Sequence, residues 1–420
     1  MIEAFVRDNL ADAMYIRDFK LIESDGRVIA SATVDSTHYG EQELWFSVRK
    51  EFVSYVCVDR LDAFLVAMLY PAMLYGEDIV VEGCVSQRLL FNLNNYAIPL
   101  LQGFSDSLKK IKISAVSESK EIYGGAGVGT GFSAGVDSFC TIYDRYVLEG
   151  RPAHKVSSLT FFNVGSNGDW LQHGSTEFTR AKFQTRYAAL SKFAEEVGLD
   201  FLDVDTNLHF FHHWWHSYSH SLKAAAVVLL LQKHYSKYYY SSAGMNYSGM
   251  LERSAFYKNK DIGAYCDPLL LPLLSTESVE LVSDGTAYTR SEKVLHVLNY
   301  EPVTRYLNVC VDHVEAWENC SVCDKCLRTL LTLDVSGNLE SFDKIFRLDL
   351  YREKRTEYIE RQIERMESDP FAADNIKLAQ MHGIKLPSIR WIRLIRRAKN
   401  WAGGPRRLVS KAVRLVRQRA

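Results

Sequence analysis

Hydrophobic and polar positions change period several times along the chain, and each change predicts an element. Val28–Val34 and Glu43–Val48 alternate as half-buried strands, with Asp25-Gly26 and Tyr39-Gly40 as turns. Asp62–Tyr75 is apolar at almost every position, which predicts a buried helix bent at Pro71, and Ile79–Glu82 follows as a strand. From about residue 121 short apolar runs alternate with longer amphipathic ones. The short runs Ala126–Phe132, Val156–Val164, Phe201–Asp205 and Tyr238–Ala243 read as strands. Phe139–Leu148, Ser175–Val197 and Ser221–Tyr235 read as the helices between them. This alternation predicts an α/β fold with a parallel, doubly wound sheet, preceded by an N-terminal α+β domain and followed by a helical C-terminus. Four parts result: 1–120, 121–335, a charged helical region 336–387 with Leu348–Met366 as its main helix, and a basic amphipathic tail 388–420.

In open parallel sheets ligands sit beyond the carboxyl ends of the strands. That directs attention to Ser133–Ser138, Asn163–Asp169, Asp205–His220 and Gly244–Gly249. The first loop, Gly131-Phe132-Ser133-Ala134-Gly135-Val136-Asp137-Ser138, breaks a strand into small residues before a helix. Backbone N–H groups there, with the positive helix end, form an anion cradle. Ser133 and Ser138 add hydroxyl donors, and Asp137 adds a carboxylate suited to a magnesium ion on phosphates. The loop lacks the terminal lysine of the G-x-x-x-x-G-K-[ST] nucleotide loop. In the third loop His209, His212, His213, His216 and His220 crowd beside Phe210, Phe211, Trp214 and Trp215. Helical spacing would allow a metal, but an aromatic lid with satisfied histidines is the favoured reading. His209, His212 and Trp214 enter as substrate contacts on that basis. Cys310, Cys320, Cys323 and Cys326 give C-x9-C-x2-C-x2-C, and four thiolates at this spacing make a closed, structural zinc site.

Ser-Ala-Gly-Val-Asp-Ser resembles the Ser-Gly-Gly-x-Asp-Ser loop of the PP-loop ATP pyrophosphatases. Together with Gly244-Met-Asn246-Tyr-Ser248-Gly249, Pro272-Leu-Leu, Arg290-Ser-Glu292-Lys-Val, the cysteine quartet and Arg328, residues 126–332 resemble the 7-cyano-7-deazaguanine synthases. The resemblance implies an adenine nucleotide alpha hydrolase-like fold and an AMP- and pyrophosphate-forming ligase. Its cofactors would be ATP, Mg²⁺ and structural Zn²⁺. It implies nucleotide contacts at Ser133, Ala134, Gly135, Val136, Asp137, Ser138, Gly244 and Asn246, with Asp137, Ser133 and Ser138 catalytic, and substrate contacts at Ser248 and Gly249. The chain departs from the family in three places, one being the connection between Asn246 and Ser248, which is shorter than usual and lacks the family aspartate. Ala134 stands where a glycine is usual, at a cost of roughly 1 kcal/mol if that position needs a positive φ. Met250-Leu-Glu-Arg253 replaces a Tyr-Pro-Asp-Cys-Arg stretch, which implies a divergent member with a different acceptor. A small molecule or a protein terminus would fill that role. The alternative is a catalytically weakened ATP-binding relative acting as a sensor or interaction protein.

Composition adds three points. Eight cysteines, three of them within seven residues, suit a metal in a reducing compartment better than disulfides, so a cytoplasmic setting is expected. No run of eighteen apolar residues predicts a spanning helix. The net charge of −1 conceals thirteen Lys and Arg, and no acid, from Asn375 to Ala420. With Trp391, Trp401 and an Ile/Val stripe, this tail is expected to make the protein membrane-peripheral on an anionic surface, with RNA as the rival partner. The N-terminal domain is assigned to architecture or self-association, a homo-oligomer being the form the latter would take.

Overall fold

The computed structural model describes residues 13–166, 176–212, 216–243, 246–256, 266–310, 317–390 and 392. Its strands are β1 (Ala13–Ser24), β2 (Arg27–Ser36), β3 (Gly40–Arg49), β4 (Asp78–Ser86), β5 (Ile113–Ser119), β6 (Gly127–Gly131), β7 (Ser158–Asn163), β8 (Asp200–Thr206), β9 (Tyr235–Ser241) and β10 (Glu280–Asp284). The helices named below are α1 (Asp62–Tyr75), α2 (Val136–Ile142), α3 (Thr176–Val197), α4 (His216–Leu230), α5 (Tyr247–Phe256), α6 (Asp267–Leu273), α7 (Arg290–Val297), α8 (Asp324–Val335), α9 (Leu348–Arg365) and α10 (Pro370–Met381). Contacts divide the chain into two compact units, one ending at Glu318 and one beginning at Asn319.

The ten described strands of the first unit join in one mostly parallel sheet, ordered β10-β9-β6-β7-β8-β3-β2-β1-β4-β5. From β10 to β8 every neighbour is parallel. The chain enters this half at β6, steps outward through β7 and β8, then crosses back to β9 and β10 on the other flank. Strand order therefore reverses at β6, and in such sheets the crevice beyond that strand's carboxyl end is the usual ligand position. β6 can sit in the middle because it is nearly all small residues. A Cβ added at Gly129 would come within 2.5 Å of the Tyr235 ring and 2.8 Å of the Tyr238 ring on β9.

The boundary expected near residue 120 does not interrupt this sheet. β3 pairs antiparallel with β8, Phe46 opposite Thr206 and Val48 opposite Val204, so residues 13–119 extend the parallel half. Side chains fix the junction: Thr206 Oγ1 donates to the Trp45 carbonyl at 2.7 Å, and Asn207 Oδ1 accepts from the Trp45 N–H at 2.9 Å. The buried Asp203 carboxylate takes Arg27 at 2.9 Å and Arg49 at 2.8 Å. One core follows, running from Ile16, Phe46 and Phe64 through Val204 and Ala226 to Tyr238. α1 is buried from Asp62 to Met73, in keeping with its apolar sequence, and it ends at Gly76, whose φ of 83° terminates the helix.

Several element ends differ from the sequence pattern, most clearly those of α4 and β9. α4 closes at Leu230 rather than Tyr235, because Tyr235 opens a β-favouring Tyr-Ser-Lys-Tyr-Tyr-Tyr strand. Ser219, at φ −137°, breaks the start of α4, so its regular part begins close to the expected Ser221. The second unit is helical: α8, α9 and α10 enclose Leu330, Tyr351, Ile359 and Ile376. Within the expected tail 388–420, Ile392 is buried, and residues 391 and 393–420 lie outside the described residues. No described helix is long and apolar enough to cross a membrane.

A buried ion network ties the start of α1 to residues far along the chain. Arg60 Nε lies 3.1 Å from Asp62 Oδ2, with the two side chains 1% and 0% exposed. Gln232 bridges them, accepting from Arg60 at 2.6 Å and donating to Asp62 at 2.9 Å. Removing one member strands the other's charge, so Asp62→Ala is expected to lower unfolding free energy by about 3–5 kcal/mol in urea titration. A change below about 1 kcal/mol would contradict the network.

Candidate functional site

The strand-to-helix loop after β6 has the shape its residues suggest. Ala134 is buried and takes φ 57°, the left-handed conformation in which a glycine would carry no strain. Gly135 follows in extended conformation as the N-cap of α2 without a side-chain cap. The first N–H groups of a helix lack intrahelical partners, so this end is of the kind that can receive an anion. Ser138 Oγ donates to the Gly135 carbonyl at 3.0 Å and accepts from the Ser133 N–H at 3.4 Å. Behind the loop Phe132 stacks on Phe193 at 4.4 Å, and the Asn308 N–H donates to the Ala134 carbonyl at 2.9 Å.

Asp137, the residue expected to meet a magnesium ion, is paired with two cationic side chains. Its Oδ2 lies 2.8 Å from Arg290 and its Oδ1 lies 3.1 Å from Lys293. Both cations come from the first turn of α7, which a Thr289–Glu292 capping box fixes in place. The Lys293 side chain is fully buried and also donates to the Ser242 carbonyl and hydroxyl, each at 2.7 Å. Both carboxylate oxygens thus face cations, an arrangement that positions positive charge beside the loop and does not leave a metal ligand ready. Arg290 appears in the sequence reading only as part of a matched stretch, and Lys293 only as its unlabelled lysine. Their i, i+3 spacing puts them on one helix face, but the partner acid lies more than 150 positions earlier.

A cavity of about 220 Å³ opens against the loop, lined by Ser133, Asp137 and Ser138 together with Phe161, Tyr240 and His220. Its volume is below the about 300–1,000 Å³ of typical ligand clefts, so it fits a reacting centre better than a whole nucleotide. Of the expected substrate contacts, His212 is a satisfied core histidine. Its ring nitrogens lie 2.9 Å from Ser219 Oγ and 2.8 Å from the Ala67 carbonyl. His209 stacks on Phe210 in a short turn after β8 and does not line the cavity. Asn246 Oδ1 accepts from the Gly249 N–H at 2.8 Å, so Asn246, Ser248 and Gly249 form the capped start of α5. Gly244 and Trp214 lie outside the described residues.

His220, named above only within its histidine-rich loop, is the member of that group that lines the cavity among the described residues. Its Nδ1 is 2.6 Å from Tyr240 Oη and 3.9 Å from Asp267 Oδ2. Burial, and then the nearby Lys223 charge, push the imidazole down to about 4. Burial pushes the Asp267 carboxyl up to about 7, against a smaller opposing effect of Ser221.

The sulfur ligand atoms of Cys310, Cys320, Cys323 and Cys326 all lie within 4.8 Å of one another. Ser321, at φ 64°, turns the chain so that the Cys323 N–H donates to Cys320 Sγ at 3.2 Å. Cys323 is the N-cap of α8 and Cys326 sits in its first turn, where the helix dipole favours thiolates. Four such donors suit Zn²⁺ and provide no side chain for open-site chemistry.

No protein-family model, curated protein or solved structure matches the chain.

Three outcomes are expected. Protein purified without chelators should carry about one zinc per chain, and Cys323→Ser should lose the metal and melt lower; zinc-free, fully stable wild type would contradict the site. Ala134→Gly relieves about 1–2 kcal/mol of backbone strain and adds about 0.4–1 kcal/mol of unfolded-state entropy. A net gain of about 0–1.6 kcal/mol in denaturant titration should result; a clear loss would contradict the left-handed loop. The third concerns pH. The native state binds fewer protons at His220 between about pH 4 and 6.5, so that residue makes stability rise with pH there. It binds more at Asp267 between about 3.8 and 7, so that residue makes stability fall. The two slopes oppose. Asp267→Asn should expose the rise and His220→Gln the fall; equal profiles in all three proteins would contradict these assignments.

Proposed function

We propose that the chain is an ATP-dependent carbon–nitrogen ligase of the 7-cyano-7-deazaguanine synthase type. It would split ATP into AMP and pyrophosphate while activating a carboxylate or amide oxygen for attack by a nitrogen nucleophile. The observation that carries this reading is the left-handed loop at Ala134, placed where strand order reverses and flanked by Arg290 and Lys293.

The residues divide the work as follows. N–H groups at the start of α2, with the Ser133 and Ser138 hydroxyls, hold the departing pyrophosphate. Arg290 and Lys293 neutralise charge that builds on the phosphates, and Asp137 aims them. Magnesium, when bound with ATP, supplies further neutralisation on phosphate oxygens. Catalysis is then mainly positioning of the acceptor oxygen in line with the α-phosphate. A sensor that binds ATP without turnover is the second reading, favoured by the occupied state of both Asp137 oxygens.

The test is nucleotide analysis after incubation with ATP, Mg²⁺ and a panel of aliphatic, aromatic and heteroaromatic carboxylic acids with ammonium. AMP and pyrophosphate in equal amounts are expected. Asp137→Asn should stay folded, lose about 1–3 kcal/mol of stability, and form AMP at least about 100-fold more slowly. ATP binding without AMP would support the sensor; ADP as product would sink both readings.

A further inference from the structure

A larger cavity, of about 730 Å³, lies at the flank of the sheet away from β10, where β5 ends the strand order among the described residues. Its volume is within the about 300–1,000 Å³ of typical ligand clefts. One wall is β5 itself, at Ile113, Ser114 and Ala115. The other is helix Gln87–Asn92 and the π-helical turn Leu93–Ala97 that continues it. Such turns occur often at functional sites, and this one brings Asn94 and Asn95 to the groove.

The backbone of β5 indicates what the groove can hold. The Ile79 N–H donates to the Lys112 carbonyl at 2.9 Å, so Lys112 faces β4 and Ile113 faces outward. There the Asn94 side chain meets Ile113 as a peptide group of a further strand would. Its Oδ1 accepts from the Ile113 N–H at 2.9 Å, and its Nδ2 donates to the Ile113 carbonyl at 3.0 Å. Ala115, two residues along, points the same way. Among the described residues its outward N–H and carbonyl have no hydrogen-bond partner. Large apolar side chains are exposed beside this edge. Phe91, in the lining, is 56% exposed and meets the Tyr96 ring edge-on at 5.9 Å, and Val116 on β5 is 75% exposed.

We propose that this groove binds an extended polypeptide segment of a partner protein. The segment adds to the β5 edge through the outward groups of Ala115 and lays an apolar side chain against Phe91. Amide side chains on the helical wall donate and accept alike, which suits the alternating N–H and C=O groups of a peptide. The charges fit the same occupant. Arg88 and Lys120 line the groove with both signs present, because Glu118 and Glu277 stand with them. Glu277 is already engaged, accepting from the Arg88 N–H at 2.8 Å and the Ser86 hydroxyl at 2.6 Å. A polyanion such as a nucleic acid would meet both carboxylates, whereas a peptide can match either sign locally. A second copy in an isologous pair would present the same concave groove, which cannot fill its like. The proposal is independent of the ligase reading.

The test selects peptides on the full-length protein from a displayed library of random linear dodecapeptides, then titrates the enriched ones by fluorescence anisotropy. Ala115→Pro removes the outward donor while keeping an edge-strand conformation, since proline is tolerated where the N–H faces away from the sheet. Binding should weaken about tenfold or more in Ala115→Pro and in Phe91→Ala, both confirmed folded by thermal melting. An enriched peptide N-methylated at alternate residues should lose binding to wild type in one of its two methylation phases and keep it in the other; this comparison decides the matter if Ala115→Pro does not fold. Failure to enrich any peptide would overturn the proposal. So would peptides that bind both variants as they bind wild type, or that are indifferent to the phase of methylation. Sedimentation showing a wild-type dimer that Phe91→Ala and Ala115→Pro dissociate would overturn it in favour of a second copy, and glycan-array binding without peptide binding would overturn it in favour of a sugar.

Discussion

A lysine ammonium that is wholly buried has to be paired, and the pairing of Lys293 organises the carboxyl ends of three parallel strands. Its donors reach Asp137 after β6 and Ser242 after β9. Its stem passes Gly285 after β10, where φ is +74° and an added Cβ would come within 3.3 Å of Nζ. Three neighbouring strand ends are thereby tied to one point. Uncompensated burial of a single charge costs several kcal/mol, so the loop, the Ser242 turn and the Gly285 turn are mutually constrained. Asp137 is best understood within this constraint, as the acid that holds two cations in place.

That arrangement alters how the loop's chemistry is read. A lone carboxylate at the start of a helix would oppose the approach of an anion. A carboxylate carrying Arg290 and Lys293 instead brings two positive charges to the same loop. The Asn308 N–H holds the Ala134 carbonyl from the segment that continues to Cys310. The strained residue of the loop and one zinc-ligand candidate thus lie on directly bonded stretches of chain.

What could be read from the sequence follows from what local residues can fix. The Ser133–Ser138 loop and the cysteine quartet were legible because small residues, hydroxyls and thiols at short spacing have few other uses. The positive φ that the sequence raised only as a condition at Ala134 is present, since the turn geometry is local. The β3–β8 pairing was not legible: alternation at Leu44, Phe46 and Val48 fixes which face is buried and leaves the neighbouring strand undetermined. The roles of Lys293, Arg290 and His220 depend on partners brought by topology, and no spacing rule connects them. His212 followed the favoured bland reading of its loop, its nitrogens satisfied within the core.

The central claim is that Lys293 and Arg290, held by Asp137, make the β6 loop a site for the phosphates of a nucleotide. Calorimetric titration of the full-length protein with inorganic pyrophosphate in the presence of Mg²⁺ tests it most directly. Wild type should bind, and Lys293→Met, which keeps the stem and removes the charge, should bind at least about tenfold more weakly, equivalent to about 1.4 kcal/mol. Equal affinity in the two folded proteins would contradict the account.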